Sequence, residues 1–489
     1  MSPDTTGTAG TAGLTLPDGL VAIVKRDCPT CTLVAPVLGE LARSGVALTV
    51  YSQDDPTFPE GLDARDDTTL DVSFALDLET VPTLLRVRGG EIVDRTEGWK
   101  RDQWEAFTGR DGLGAGLPDY RPGCGSRTHD PDIVARRTAA ACAAALQSRR
   151  VPLGDQEDDI EAAYERGWTD GLPVVPPTSE RVARMLTGTT RDPGEVVAVV
   201  PPDLVPLTVE KVAVNATLAG CRPEYLPVVL AAVEAACTDE FNIHGLLATT
   251  YFSGPIVIVN GPVVSQIGMN AEINLFGQGN RANATIGRAL QLVVRNVGGG
   301  RPGGVDRATL GNPGKYTFCF AEREHDSPWE PLHVERGEAE GTSAVTLFAG
   351  EGPRGVVDQL SREAESLAQT LAACILPVPH PKLAMAFDAM LVVSPEHGRV
   401  FREAGWSKAR LRDELHARLQ LDGDDLVRGA GGIAEGLPEA FGGMTIPKLR
   451  DGGLLIVHAG GGAGLFSAII GSWVTGPGGS EPVTRTIGT

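Results

Sequence analysis

Apolar and polar positions along the first hundred residues read as strand, turn, helix. After Gly19 the run LVAIVK is short, apolar and β-branched, and RDCPTC turns the chain. In TLVAPVLGELARSG the residues Leu33, Val34, Val37, Leu38 and Leu41 recur at helical spacing. Further on, ETVPTLLRVRGGEIVDRTEGW reads as a strand entered through a proline, a Gly-Gly turn and a second strand. Between Gly109 and Asp155 the pattern breaks: GRDGLGAGLPDYRPGCGSRTHD is dense in glycine and proline, and IVARRTAAACAAALQSRR is alanine-rich and helix-prone. From Glu157 to about Gly476 helix and strand patterns alternate without a visible repeat. Helices are expected over 158–166, 209–219, 225–237, 284–297, 356–374, 395–404 and 408–421, with LFSAII also helical. Strands are expected over PIVIVNGP, KYTFCFAE, AVTLFAG, AMLVVS and GLLIVHAGG. The pattern predicts an α/β protein: a disordered tail over 1–17, a small domain over 18–110, a linker and helix over 111–156, and a larger α/β domain over 157–489 with a mixed or partly parallel sheet.

Composition narrows the function classes. The chain of 489 residues is 42% hydrophobic and 22% charged, which describes a folded protein, and 61 glycines with 35 prolines imply many turns. A net charge of −20 repels a polyphosphate backbone or an anionic membrane, so neither nucleic acid nor membrane is an expected partner. No apolar run is long enough to span a bilayer, and MSPDTTGTAGTAG lacks the features of a signal peptide; a soluble, cytoplasmic protein, associating as a homodimer, is expected.

Chemistry begins with Cys28 and Cys31, the one pair among eight cysteines close enough in sequence to share a task. Pro29 suits a first helical turn because no amide proton is needed there, and a cysteine at a helix start faces the positive end of the peptide dipoles, which favours thiolate. Cys28 is therefore the candidate nucleophile and Cys31, one turn inside, the candidate resolving thiol, while Pro36 should kink the helix. Together with Val81-Pro82-Thr83, Gly89-Gly90 and Gly98, these residues resemble a thioredoxin-fold domain over about residues 18–110. The resemblance implies that Pro82 is cis and lies against the active disulfide, closing a peptide-binding groove. Asp27 stands where that family carries a tryptophan, and Pro29-Thr30 separates the cysteines, so redox potential and partner choice do not carry over. The acid should also oppose the thiolate. A zinc knuckle or an inert fold is the alternative, and two ligands with no second pair nearby leave a zinc site incomplete.

Cys124 stands in Pro-Gly-Cys-Gly-Ser-Arg. Glycines leave the sulfur accessible, Arg121 and Arg127 make the setting electropositive, and Asp130-Pro131 reads as the cap and first turn of the next helix. Cys-Gly-Ser is similar to the first three positions of the selenocysteine-Gly-Ser-Cys motif of the UGSC family of seleno- and thiol-oxidoreductase-like proteins. Where that motif ends in cysteine this chain has Arg127, so a local resolving thiol is missing and the Cys28/Cys31 pair would be the resolver. A flexible linker that happens to carry a thiol is the alternative. Cys142 and Cys237 lie in apolar helical runs and read as core residues.

In the large region, Asn270, Asn274, Asn280, Arg281, Asn283 and Thr285 fall before or at the start of a helix. That setting suits a carboxylate or other small anion, and equally helix capping. Cys319, Glu322, Glu324, His325 and Asp326 cluster at the end of KYTFCFAE, but strand alternation sends Cys319 and Glu322 to opposite faces, which weakens a metal site. His325 and His397 are candidate acid–base groups, His397 because it follows a strand and opens a helix behind Ser394-Pro395-Glu396. The glycine-rich step after GLLIVH matches neither Gly-x-Gly-x-x-Gly nor a Walker sequence, and no nucleotide is assigned.

These residues lead to the expectation of a thiol-dependent redox enzyme. The large domain would act on a small molecule through Cys124, with Arg127, Asn270, Asn280, Arg281 and Asn283 as substrate contacts. The fused Cys28/Cys31 pair would reduce or resolve it at roughly millimolar effective concentration. No metal or further cofactor is expected beyond the Cys28–Cys31 redox disulfide, which a thioredoxin reductase-like protein or a low-molecular-weight thiol would recharge. Sulfur transfer or C–S bond chemistry, a non-catalytic redox sensor or ligand-binding protein, and a general protein disulfide reductase are the other readings.

Overall fold

The computed structural model describes residues 15–134, 137, 146–154 and 157–488. Cys142 lies outside them, as does the expected tail up to residue 14. The chain is α/β and divides into two compact units, Met1–Thr138 and Ala139–Thr489.

In the first unit β1 (Gly19–Val24) leads into α1 (Pro29–Arg43), followed by β2 (Leu48–Ser52), β3 (Ala64–Asp66) and α2 (Asp71–Ala75). Then come β4 (Thr80–Val81), β5 (Thr83–Arg88), β6 (Glu91–Glu97), β7 (Trp99–Lys100), α3 (Arg101–Thr108), β8 (Tyr120–Arg121) and β9 (Cys124–Gly125). The main sheet has the order β3-β2-β1-β5-β6, with β1 parallel to β2, β2 parallel to β3, and β5 antiparallel to both β1 and β6. Helical spacing buries Val34, Val37, Leu38 and Leu41 of α1 against this sheet, Pro36 lies within the helix, and Trp99 and Trp104 pack edge to face in the same core. The Val81–Pro82 peptide is cis.

The stretch read as a linker over 111–156 is divided between the units, and its first part is built into the small one. Leu113 is a core residue, β8 pairs with β7, and β9 pairs with β4. Thr128 donates its hydroxyl to the Leu78 carbonyl at 2.5 Å.

In the second unit the helices Asp159–Glu165 and Ser179–Leu186 precede an antiparallel ribbon, β10 (Val196–Val200) and β11 (Val205–Thr208). Next, β12 (Gly254–Asn260) lies parallel to β13 (Cys319–Ala321) and antiparallel to β14 (Ala344–Gly350). After β15 (Arg354–Val357) the same arrangement returns. There, β16 (Phe387–Val393), separated from its neighbours in sequence by the small ribbon β17 (Gln420–Asp422) and β18 (Thr445–Pro447), lies parallel to β19 (Leu454–His458) and antiparallel to β20 (Phe466–Val474). The two halves exchange arms: β15, which follows β14, pairs with β20, and β21 (Val483–Thr486), which follows β20, pairs with β14. The repeat that the residue pattern does not display is thus present in the topology.

Strict alternation splits each strand between two cores. Val257, Val259, Val345 and Leu347 face the helices Val209–Ala219, Leu226–Ala236 and Arg281–Asn296. Leu391, Val393, Leu454 and Ile456 face the helices Ala364–Ile375, Pro395–Glu403 and Lys408–Arg418. Ile256, Ile258, Phe348, Met390, Val392, Leu455 and Val457 form a third core between the two sheet halves. Burial on both faces explains why these strands read as unbroken apolar runs. Two helix expectations fail. LFSAII belongs to β20 rather than to a helix, and the helix expected from 356 begins at Ala364, because Val356 lies in β15. Among the described residues no helix is long and apolar enough to cross a membrane.

β14 and β20 pair with each other through Gly350 and Ser472, and a Cβ on Gly350 would lie 2.5 Å from Ile256 Cδ1 and 2.9 Å from Ile470 Cγ2. Gly350→Val should therefore overpack the seam between the halves and cost about 1–3 kcal/mol, read as a lowered urea midpoint.

Candidate active site

Where β1 ends, Cys28 adopts an extended conformation (φ −148°, ψ 112°) and caps α1, its sulfur accepting the Cys31 amide at 3.2 Å. Pro29 occupies the first turn, so the helix start presents its free amides to that sulfur. The thiols of Cys31 and Cys124 reach it as well. The Val81 carbonyl, at the cis Pro82 step, lies 3.7 Å away and can accept the proton of the neutral form.

These donors set the acidity of the three thiols. The Cys31 thiol contributes most to lowering Cys28 to about 5, and Cys124 with the amides of Cys31 and Thr30 adds to it, against burial that opposes ionisation. Burial pushes Cys31 up, and the adjacent Cys28 sulfur adds to the shift. Cys124 is raised by the same two causes in the same order. Asp27, expected to oppose the thiolate, is exposed, and the Cys28 thiol is depressed in its presence. Cys221 and Cys237 are pushed up to about 12 by burial, and burial also raises Cys319 and Cys374. Among the described cysteines only Cys28 is acidified.

Gln53, unremarkable in sequence, holds the third thiol's segment in place. Its buried side chain donates to the hydroxyls of Ser73 and Ser126 at 2.8 Å each and accepts the Arg127 amide at 3.1 Å. The Arg127 guanidinium binds the Gln53 carbonyl at 3.1 Å and Asp130 at 3.4 Å. Arg127, expected to contact substrate, is thus an anchor of the first unit, and Cys124 belongs to that unit rather than to a linker serving the larger one.

The other expected site residues are engaged in holding the fold of the second unit. Asn280 caps the helix Arg281–Asn296 by accepting the Asn283 amide at 3.0 Å, and gives its own amide to Gly268 O at 2.8 Å. Asn270 and Asn283 exchange two hydrogen bonds, at 3.0 and 2.8 Å, and Arg281 binds Gly220 O at 2.9 Å. Capping and loop closure account for this cluster. His397 is fully buried, with Nδ1 on the Ser467 hydroxyl at 2.7 Å and Nε2 on the Asp358 carbonyl at 3.0 Å, so both ring nitrogens tie the helix Pro395–Glu403 to neighbouring segments instead of facing a substrate. His325 lies in an exposed turn 3.8 Å from both Glu272 and Asp326. Glu322 and Cys319 diverge as alternation requires. Cys319 enters the helix-side core, whereas the buried Glu322 carboxylate accepts from Asn260 and the Leu332 amide at 2.7 Å each, with burial raising its pKa. Among the described residues no group of three or more His, Cys, Asp and Glu is arranged to hold a metal ion.

Comparisons of the chain with family models, with curated proteins and with solved structures find no match.

In the reduced protein, iodoacetamide should label Cys28 with a midpoint near pH 5, the reactive thiolate dominating above it, while the other described cysteines stay unlabelled at pH 6; mass spectrometry of the quenched digest reads both. His397→Ala should leave that midpoint in place and cost about 1–3 kcal/mol in urea unfolding, because it strands the Ser467 hydroxyl and the Asp358 carbonyl.

Proposed function

We propose that this protein is a thiol–disulfide oxidoreductase in which Cys28 reduces an oxidised Cys124 and Cys31 resolves the product. The observation that carries the reading is geometric: the Cys28 sulfur caps a helix start on the Cys31 amide at 3.2 Å and lies 3.7 Å from the Val81 carbonyl, and strand pairing sets Cys124 opposite that same Val81. The lowered Cys28 thiol agrees with it. Three parallel strands, the helix opened by Cys28, and an antiparallel pair entered through cis Pro82 support a thioredoxin-like reading of the first unit.

The chemistry balances with a single external reductant. When Cys124 carries a small thiol as a mixed disulfide, the Cys28 thiolate attacks the Cys124 sulfur, the small thiolate leaves, and a Cys28–Cys124 disulfide forms. The Cys31 thiol, losing its proton, then attacks Cys28; Cys124 leaves and takes up that proton. Two electrons have passed from the dithiol to the adduct, and the Cys28–Cys31 disulfide is returned to dithiol by a low-molecular-weight thiol or a reductase. Such a cycle suits the reducing cytoplasm. The second unit contributes a cavity of about 850 Å³ beside Trp168, Lys211, Asn215 and Asn296, which supports a small-molecule ligand there.

The test is a trap. In Cys31→Ser the resolving thiol is gone, and after gentle oxidation peptide mapping should recover a Cys28–Cys124 bridge as the main product. Cys28 joined elsewhere, or unreactive, would overturn the reading.

A further inference from the structure

From Tyr120 to Thr128 the chain forms an arm laid across the Cys28 site. Tyr120 and Arg121 pair with Lys100 and Trp99, Cys124 and Gly125 pair antiparallel with Val81 and Thr80, and the Ser126 amide donates to Glu79 O at 2.8 Å. Thr30, two residues from the nucleophile, gives its hydroxyl to Pro122 O at 2.7 Å. Glycines permit the close approach: a Cβ on Gly123 would lie 2.2 Å from Thr80 Cγ2 and 2.9 Å from Val81 O, and one on Gly98 would lie 2.8 Å from the Gly123 nitrogen. Beneath the arm, Cys28 is only 1% exposed.

Among the described residues β9 of the arm is the sole sheet partner of β4. An extended peptide bearing a disulfide needs those same backbone groups to set a sulfur on Cys28, because strand addition draws affinity from main-chain bonds and fixes which side chains face the site. Arm and peptide exclude one another. We infer that the arm over 120–128 is a built-in occupant of a strand-pairing site for extended, cysteine-bearing peptides, keeping Cys28 dedicated to Cys124 and closed to other protein disulfides. This rests on the exchange chemistry proposed above and adds its selectivity. Once the arm is displaced, Cys28 attacks one sulfur of a peptide disulfide and the first peptide thiolate leaves; Cys31 then attacks Cys28, the second leaves with the Cys31 proton, and the chain retains the Cys28–Cys31 disulfide.

The experiment follows single-turnover reduction of a disulfide-linked pair of short extended peptides by the reduced full chain, read by mass spectrometry. If the arm is docked in all but a small fraction of molecules, the peptide reaction is slowed by that fraction, and Gly123→Val should speed it at least about tenfold. Ser126→Ala combined with Arg127→Ala loosens the arm from Gln53 without touching the glycine; it should act in the same direction and serves if Gly123→Val does not fold. In every background Cys28→Ser should abolish the reaction. Equal peptide rates in the wild type and a folded arm variant, with reduction still dependent on Cys28, would overturn the built-in occupant and leave the exchange chemistry standing. Absence of Cys28-dependent reduction in all of them, together with no Cys28–Cys124 bridge in the Cys31→Ser trap, would overturn the exchange chemistry itself.

Discussion

The backbone of Thr80 and Val81 pairs with Cys124 and Gly125 across a two-residue ribbon, and the rest of the site follows from that pairing. Register puts Cys124 opposite Val81, whose carbonyl already borders the Cys28 sulfur, so the third thiol arrives by main-chain geometry rather than by a side-chain search. A one-residue slip would turn Cys124 to the other face of the ribbon. The contacts flanking it, Thr30 on Pro122 and Gln53 on Ser126 and Arg127, hold that register from both sides.

The proton inventory of the three thiols gives the ribbon its chemical meaning. A single acidified sulfur with two protonated neighbours holds one nucleophile and two proton-bearing partners, and exchange in either direction needs only a change of partner. Burial enforces the asymmetry: it penalises a second thiolate at Cys31 or Cys124 once the first sits at the helix start. The helix start matters because its amides are fixed donors, already oriented before a thiolate forms.

How much of this the residues disclose depends on the range of the interaction concerned. Cys28 and Cys31 are legible because their chemistry is local: one helical turn, a proline at the first position and a cysteine at the cap. Cys124 is legible only as an accessible thiol, because the pairing that gives it a role joins residues more than forty positions apart. Gln53 carries no signal at all, since a buried glutamine is recognised by its partners and not by its neighbours in sequence. In the second unit the strands are visible as apolar runs, but burial on both faces removes the alternation that separates strand from helix, which is how LFSAII at 465–470 is read as helix although it runs into β20. The asparagines before Arg281 illustrate the opposite failure: their composition suits an anion, yet their hydrogen-bonding capacity is spent on one another and on loop carbonyls.

The docked arm is held by a short set of contacts: the two-residue ribbon with Thr80 and Val81, Thr30 on Pro122 O, the Ser126 amide on Glu79 O, and Gln53 on Ser126 and Arg127. A carrier that docks and releases needs few contacts of this kind rather than a packed interface. In the proposed cycle Cys124 leaves to meet an external electrophile and returns to be reduced; on that reading tighter docking would strand it against Cys28, and weaker docking would surrender the proposed strand-pairing site to other peptides. Docking depends on the glycine at position 123: a Cβ there would lie 2.2 Å from Thr80 Cγ2, so a side chain at this position works against the approach that the ribbon requires.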